Sequence, residues 1–203
     1  MKILHIPRKI TPHPQRVTGL YASRKNDSYI GWESQLEKDV CFLLEHNVDV
    51  VRYESQSRTF EYIDNGKKRT YTPDFFVEYT NGRETYLEVK SQKFVDKFKL
   101  DKQQVLEEIY KANISFKIIT EVDIRCGYFL ENIKYLERYA DIPVKQDTLD
   151  IIAKIKSKYI SIEKLSELVP LHEIYNLIYF DYFDVDINSQ LLKSDSILGL
   201  YND

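Results

Sequence analysis

Two short charged segments, joined by a tight turn, most constrain what this chain can fold into. A TPDFF sequence places Asp74 at the start of one predicted strand, and an LEVK sequence places Glu88 and Lys90 on the next. Residues i and i+2 of a strand share a face, so Glu88 and Lys90 point the same way while Leu87 and Val89 point into the core. Charges gathered on one face of a hairpin are costly to desolvate unless a cation or substrate compensates them. Two carboxylates beside a lysine therefore suit a divalent metal that serves phosphodiester cleavage.

Turn signals on either side support the hairpin. Asn65-Gly66 and Asn81-Gly82 are favoured hairpin turns, and they bracket a predicted run from residue 68 to residue 79. The second turn leads into residues 85–89, so Asp74 and Glu88 are expected on antiparallel neighbours, close enough to approach one metal. The alternative is that Asp74 merely starts a strand and that Glu88 and Lys90 form a solvated ion pair.

A predicted helix upstream offers a further acid. Apolar residues follow helical spacing from residue 32 to about residue 47, with Glu33 and Glu37 on one flank of the apolar stripe. Glu37 is the first choice for a metal-site acid and Glu33 the second, while Glu45 is predicted to face solvent. The alternative is that either glutamate is an ordinary surface charge.

The motif resembles the restriction-endonuclease-like PD-(D/E)xK superfamily, with Asp74, Glu88 and Lys90 at the three signature positions. The resemblance can be narrowed to one family within this superfamily, because further motifs follow one another along the chain in the order found in that family. From about residue 8 to residue 125 the chain is similar to the TnsA family, the endonuclease subunit of heteromeric cut-and-paste transposons. The motifs are RKI at 8–10, GLYASRK at 19–25, WESQLE at 32–37 and VRYESQ at 51–56, followed by the two hairpin segments.

The resemblance implies a catalytic set of Glu37, Asp74, Glu88 and Lys90. Some members carry glutamine where this chain has Glu88, so a glutamate here is closer to the superfamily pattern. The chemistry of these groups predicts Mg²⁺, with Mn²⁺ as a substitute, held by Asp74, Glu88, the Val89 carbonyl and Glu37. Further site candidates are Glu33 and Gln92.

The resemblance also implies partners and a division of labour. The nuclease would act on double-stranded DNA at transposon ends, beside a DDE transposase (TnsB) and an ATP-using regulator (TnsC). It would cut one strand at each end while the transposase cuts and joins the other.

Charge is unevenly distributed along the chain. Residues 1–30 carry a net +5 and residues 146–203 a net −5. The basic arm of residues 1–30 is predicted to lie along DNA phosphates through Arg8, Lys9, Arg24 and Lys25. An ordinary basic terminus is the alternative.

The remaining pattern predicts an α/β class protein with two domains. A helix over 97–113, a strand over 114–120, a turn over 121–125 and a helix over 128–139 complete a restriction-endonuclease-like mixed sheet flanked by helices. The predicted nuclease domain therefore spans 1–143. Residues 144–203 are predicted to form a small winged-helix-like domain, with three helices, a serine cap at Ser161 and a wing near 179–192. Its acidic surface repels phosphate, so it is expected to dock a protein, most plausibly the regulator.

The composition indicates the cellular location that we expect for the protein, but it does not decide the function. With 43% hydrophobic and 30% charged residues, and no apolar run approaching the roughly 18 residues of a membrane span, a cytoplasmic chain without membrane contact is expected. Cys41 and Cys126 are expected to be reduced. Two alternatives stay open: a stand-alone restriction or repair endonuclease, and a catalytically idle DNA-binding adaptor on a nuclease fold.

Overall fold

The computed structural model describes residues 1–6 and 17–201 of the 203-residue chain. The chain divides into two compact units, Met1–Ile124 and Arg125–Asp203. Within the described residues, none of the helices combines the length and the apolar character needed to cross a membrane.

The first unit contains most of the strands. Its described strands are β1 (Lys2–Leu4), β2 (Gly19–Ser23), β3 (Ser28–Trp32), β4 (Val50–Ser55), β5 (Thr59–Asp64), β6 (Lys67–Tyr71), β7 (Phe75–Tyr79), β8 (Glu84–Val89) and β9 (Phe116–Ile119). Its described helices are α1 (Gln35–His46), α2 (Val95–Asp101), α3 (Gln103–Lys111) and α4 (Glu121–Ile124), with a 3₁₀ turn at Gln92–Phe94.

A four-stranded mixed sheet forms the centre of this unit. Its order is β4-β7-β8-β9, in which the first three strands are antiparallel and β9 runs parallel to β8. A parallel pair requires a crossover connection, and α2 and α3 supply it. The predicted mixed α/β arrangement is confirmed, although the predicted single helix over 97–113 is divided at Lys102 and the predicted turn over 121–125 is the short helix α4.

A second sheet, of order β1-β5-β6, carries the predicted Asn65-Gly66 turn. Both turn residues have positive φ, +48° and +73°, as the tight turn between β5 and β6 requires. The predicted continuous run over 68–79 is wrong, because β6 ends at Tyr71 and β7 begins at Phe75 in the other sheet. Pro73 lies in the break, and its missing N–H cannot continue a ladder.

An aromatic core lies along both sheets and against α2 and α3. Phe60 and Tyr71 stack with ring centroids 6.3 Å apart, and Tyr86 meets Phe60 edge-on at 4.9 Å. Burial of such rings is the main apolar contribution to this unit. The buried members of this core are Phe60, Tyr62, Tyr71, Phe76, Tyr86, Phe98, Val105 and Ile109.

Helix α1 begins later than the apolar spacing predicts. Trp32 is the last residue of β3, and the helix is capped by Ser34, whose hydroxyl accepts from the Glu37 N–H. Glu33 therefore precedes the cap, and its predicted position on the helix is wrong. A serine three residues before a glutamate is a capping-box pattern, and here that local signal prevails over the apolar periodicity.

The prediction that Glu45 faces solvent is also wrong. Glu45 is only 6% exposed, and it accepts hydrogen bonds from the hydroxyls of Ser23 (2.8 Å) and Tyr53 (2.9 Å). Its other oxygen accepts the backbone N–H groups of Arg24 (2.8 Å) and Lys25 (3.1 Å). The donors come from the β2–β3 hairpin and β4, which helical periodicity alone cannot reveal.

The second unit is mainly helical. Its described elements are α5 (Phe129–Leu136), a 3₁₀ turn (Glu137–Tyr139), α6 (Gln146–Ala153), β10 (Tyr159–Ser161), α7 (Ile162–Ser166), α8 (Leu171–Tyr179) and β11 (Ile197–Gly199). The predicted serine cap is confirmed, since the Ser161 side chain accepts from the Lys164 N–H. Strands β10 and β11 pair antiparallel, while the predicted wing region near 179–192 contains only an isolated bridge from Asp184 to Gly199 among the described residues. The winged-helix assignment stays a prediction.

The units divide earlier than the predicted domain boundary after residue 143. Helix α5, predicted to complete the nuclease domain, belongs to the second unit. Its buried Asn132 donates to the carbonyls of Ile187 and Gln190, both at 2.8 Å. From α8, Asn176 donates to three carbonyls of the segment after α5, including Ala140 at 3.1 Å. Two buried amides thus hold α5 and its following turn to the rest of this unit, and no apolar pattern predicts such contacts.

Replacement of Glu45 tests the anchoring of the β2–β3 hairpin. Glu45→Gln replaces one acceptor oxygen by a donor and leaves a buried group without a partner, so the free energy of unfolding should fall by about 1–3 kcal/mol. The exposed Glu107→Gln is the matched control and should change it by less than about 0.5 kcal/mol. Urea unfolding followed by the fluorescence of Trp32, the single tryptophan, reports on this unit. Equal stability of the two variants would contradict the anchoring role.

Candidate active site

Asp74 lies in the break between β6 and β7, where it is fixed from two sides. Its backbone carbonyl accepts the Gln56 N–H at 2.9 Å. Its side-chain Oδ2 accepts the Val89 N–H at 2.8 Å. The second bond holds the carboxylate against the carboxyl end of β8, the strand that carries the other signature residues.

Glu88 and Lys90 lie on the same face of the chain at this end, as the strand spacing predicts. Glu88 is 4% exposed, and its Oε1 pairs with Lys90 Nζ at 2.8 Å. Its Oε2 accepts the Tyr71 hydroxyl at 2.6 Å. The Lys90 ammonium lies 5.0 Å from the centroid of the Phe98 ring. Both carboxylate oxygens are therefore held by side chains.

Glu37 approaches the same cluster from the first turn of α1. It is 8% exposed, and its oxygens accept the Glu33 N–H at 2.7 Å and the Ser34 hydroxyl at 2.9 Å. These contacts make it part of the helix cap. The Glu37 charge raises the pKa of Asp74 and of Lys90, and the Glu88 charge in turn raises the pKa of Glu37.

The electrostatics of the cluster are those of crowded carboxylates. Burial, followed by the charges of Glu88 and Glu37, raises the pKa of Asp74 well above its usual range. Burial and the charges of Glu33 and Glu88 raise the pKa of Glu37, against hydrogen bonds that lower it. Burial alone would lower the pKa of Lys90, but Glu88, Asp74 and Glu37 outweigh it and raise the pKa. One lysine thus faces more negative charge than it can neutralise.

Tyr71 belongs to the candidate site through its hydrogen bond to Glu88, although the sequence motifs do not predict it. Burial and the Glu88 carboxylate raise the pKa of its phenol, so it stays a hydrogen-bond donor to Glu88. The TPDFF motif begins immediately after Tyr71, but nothing in that pattern shows that β6 turns its last side chain towards β8. The contact exists because the sheet that contains β6 packs against the sheet that contains β8 through the aromatic core.

The remaining predicted site residues lie in different settings. Glu33 contributes its backbone N–H to Glu37. Gln92 has an exposed side chain, and its N–H donates to Glu121 Oε2 at 2.8 Å. Val89 uses its N–H to hold Asp74.

The predicted DNA-binding residues divide into two pairs. Arg24 is exposed in the β2–β3 hairpin, whereas the Lys25 ammonium donates to the carbonyls of Asn47 and, at 2.8 Å, Val50. Burial lowers the pKa of Lys25, against the charges of Glu45 and Asp49. Arg8 and Lys9 lie outside the described residues.

The candidate metal ligands are carboxylates. No group of three or more His, Cys, Asp or Glu side chains in residues 1–6 and 17–201 stands ready to hold a metal ion. The acids that the structure does bring into mutual electrostatic range, Glu37, Asp74 and Glu88, all offer hard oxygen donors of the kind that Mg²⁺ and Mn²⁺ prefer. Their uncompensated negative charge also suits a divalent cation.

Comparison with known families finds a match to the central part of the chain. Residues 47–121 match the model of the TnsA-like endonuclease N-terminal domain. A search of curated proteins returns no match. The matched stretch contains Tyr71, Asp74, Glu88 and Lys90, and it leaves out Glu37, the basic arm and the second unit. The predicted resemblance to the TnsA family is therefore confirmed for residues 47–121, which are similar to a TnsA-like endonuclease N-terminal domain and include β7 and β8.

Proposed function

We propose that this chain is a metal-dependent DNA endonuclease that hydrolyses one phosphodiester bond at each end of a transposon. The observation that carries the proposal is the meeting of Asp74, Glu88 and Lys90 at one end of β8, inside the TnsA-like domain. A nuclease needs acids that attract a cation and a base or cation that faces the substrate. The crowding that raises the pKa of Asp74 and Glu37 supports the first requirement.

The proposed metal ligands are Asp74, Glu88, the Val89 carbonyl and Glu37. Mg²⁺ bound there would lower the pKa of a water molecule and offset the negative charge that develops on the phosphate. Tyr71 would keep Glu88 in place through its short hydrogen bond. The Val89 N–H would do the same for Asp74.

Lys90 is the proposed group that faces the reacting phosphate. Its ammonium pairs with Glu88, and the neighbouring carboxylates raise its pKa and so keep it protonated. A cation that takes over the negative charge of Glu88 would leave Lys90 able to orient the attacking water or to stabilise the charged transition state. The expected products have 5′-phosphate and 3′-hydroxyl ends.

The setting that we propose is a heteromeric transposase in the cytoplasm. The DDE transposase TnsB would cut and join the other strand, and the regulator TnsC would dock on the acidic C-terminal domain. The net +5 arm and the net −5 tail support this separation of a DNA-binding part from a protein-binding part, since only clustered positive charge gains from counterion release.

Removal of one signature group at a time tests the chemistry. Asp74→Asn can still accept the Val89 N–H, so it removes charge with little change in structure, and nicking should fall by several orders of magnitude. Glu88→Gln should do the same. Lys90→Ala should also abolish nicking but should leave Mn²⁺ binding in calorimetric titration.

The same set of variants decides between the proposed function and its alternatives. Nicking by Asp74→Asn at the wild-type rate would contradict the site assignment. An idle DNA-binding adaptor predicts no metal-dependent nicking by the wild-type protein. A stand-alone nuclease predicts full activity and site selection without the transposase and the regulator.

Glu37 needs a separate test because it also caps α1. Glu37→Gln should reduce metal-dependent nicking by about a hundredfold or more, because it removes a charge that acts on Asp74. Ser34→Ala is the matched control, since it breaks the same cap and keeps the charge. It should lower stability by about 1 kcal/mol and leave the nicking rate within a few fold. Glu33→Gln should have the smaller effect of the two glutamate variants.

Equal losses of nicking in Glu37→Gln and Ser34→Ala would show that Glu37 acts only through the helix cap. A dead Glu33→Gln variant beside an active Glu37→Gln variant would assign the third acid to Glu33.

A further inference from the structure

A row of side chains that runs along α2, from the 3₁₀ turn before it to the residue after it, borders the candidate carboxylates. Phe94, Phe98 and Lys102 are spaced by four residues, so they lie along one side of the helical segment. The middle member, Phe98, is 7% exposed, lies beneath Lys90 at 5.0 Å and packs 6.2 Å from the Tyr71 ring. The row is therefore continuous with Lys90 and Tyr71, the two side chains that hold Glu88.

Lys102 lies at one end of this row. It separates α2 from α3, and its ammonium is 5.7 Å from the centroid of the Tyr71 ring, whose hydroxyl contacts Glu88. Among the described residues, no acid forms an ion pair with Lys102. An unneutralised ammonium is thus placed beside the proposed cleavage site.

Phe94 lies at the other end, on a turn that is held rigid. Its ring is 51% exposed, with the Lys93 ammonium 4.8 Å from the ring centroid. Glu121 fixes the start of the turn, since its oxygens accept the Ser91 hydroxyl at 3.0 Å and the Gln92 N–H at 2.8 Å. An exposed ring on an ordered turn loses little conformational entropy when it contacts a partner.

The charge of this segment indicates the kind of partner. Residues 90–102 contain five lysines and two aspartates, a net +3 that contrasts with the net −3 of the whole chain. Eight helical residues span roughly 12 Å. That length covers about three to four phosphates of one DNA strand, at about 3.4 Å of axis per phosphate.

We propose that Phe94 and Lys102, at the two ends of this row, form the DNA-contacting wall of the cleavage site, with the buried Phe98 as its support. Lys102 binds a backbone phosphate next to the one that is cut, and Phe94 packs against a sugar or base at the other end. The inference rests on the proposed function, because it assumes that the substrate is DNA. It adds a binding surface outside both the signature residues and the basic arm.

Two single replacements distinguish the two kinds of contact. Lys102→Gln should reduce the slope of log K against log salt for a short linear duplex by about one unit, since one phosphate contact is lost. Phe94→Ala should weaken binding by about tenfold and leave the slope unchanged, because stacking releases no counterion. The matched control is Lys111→Gln, an equal charge change at the exposed end of α3 opposite the buried Val105 and Ile109.

Binding by the full chain would be measured by fluorescence anisotropy over a salt series, with Mn²⁺ titration of each variant. The proposal expects a changed slope only in Lys102→Gln, lost affinity without a slope change in Phe94→Ala, and wild-type Mn²⁺ affinity in all three variants. Equal slopes for Lys102→Gln and Lys111→Gln, in a wild-type protein that nicks DNA, would overturn this surface and leave the proposed function standing. Wild-type DNA affinity in Phe94→Ala would overturn the role of the ring and favour a protein partner there. A wild-type protein that neither binds nor nicks DNA would overturn the proposed function and this inference together.

Discussion

The hydrogen bond from the Val89 N–H to Asp74 Oδ2 connects the two parts of the candidate site. Pro73 ends the ladder of one sheet, and Asp74 would otherwise sit in a loose connection between β6 and β7. Held against β8, its carboxylate lies within electrostatic range of Glu88 and Glu37 in a largely buried setting. Burial and the neighbouring carboxylates raise the pKa of Asp74 and of Glu37, and the charge of all three acids acts on Lys90. Such crowding of buried carboxylates is costly unless a cation offsets their charge.

Much of this centre could be predicted because it depends on local pattern. A two-residue period places Glu88 and Lys90 together, and Asn81-Gly82 predicts the tight turn that joins β7 and β8, so the pairing of these two strands follows from the sequence. The wrong predictions concern contacts between elements distant in the chain. Glu45 is buried because the β2–β3 hairpin and Tyr53 converge on it. Tyr71 reaches Glu88 because two sheets share an aromatic core.

Helix ends and domain boundaries are a second kind of feature that the sequence pattern does not predict. The apolar spacing over 32–47 is real, but Ser34 and Glu37 satisfy the first backbone donors and set where α1 begins. Helix α5 looks like the end of the nuclease core, yet Asn132 fastens it to the C-terminal unit. Polar side chains that satisfy distant carbonyls decide both cases, and hydrophobic periodicity carries no information about them.

We propose that the clustered carboxylates lower the stability of the fold and that a bound divalent cation relieves this cost. An acid with a raised pKa in the folded state binds its proton more tightly there than in the unfolded chain, so ionised Asp74 lowers stability at neutral pH. The direct measurement is the thermal unfolding of wild type and Asp74→Asn, followed by Trp32 fluorescence with and without Mg²⁺. The account predicts a metal-free variant at least as stable as wild type, and a midpoint that Mg²⁺ raises in wild type only. A wild-type midpoint indifferent to Mg²⁺ and Mn²⁺, with a metal-free variant much less stable than wild type, would contradict it.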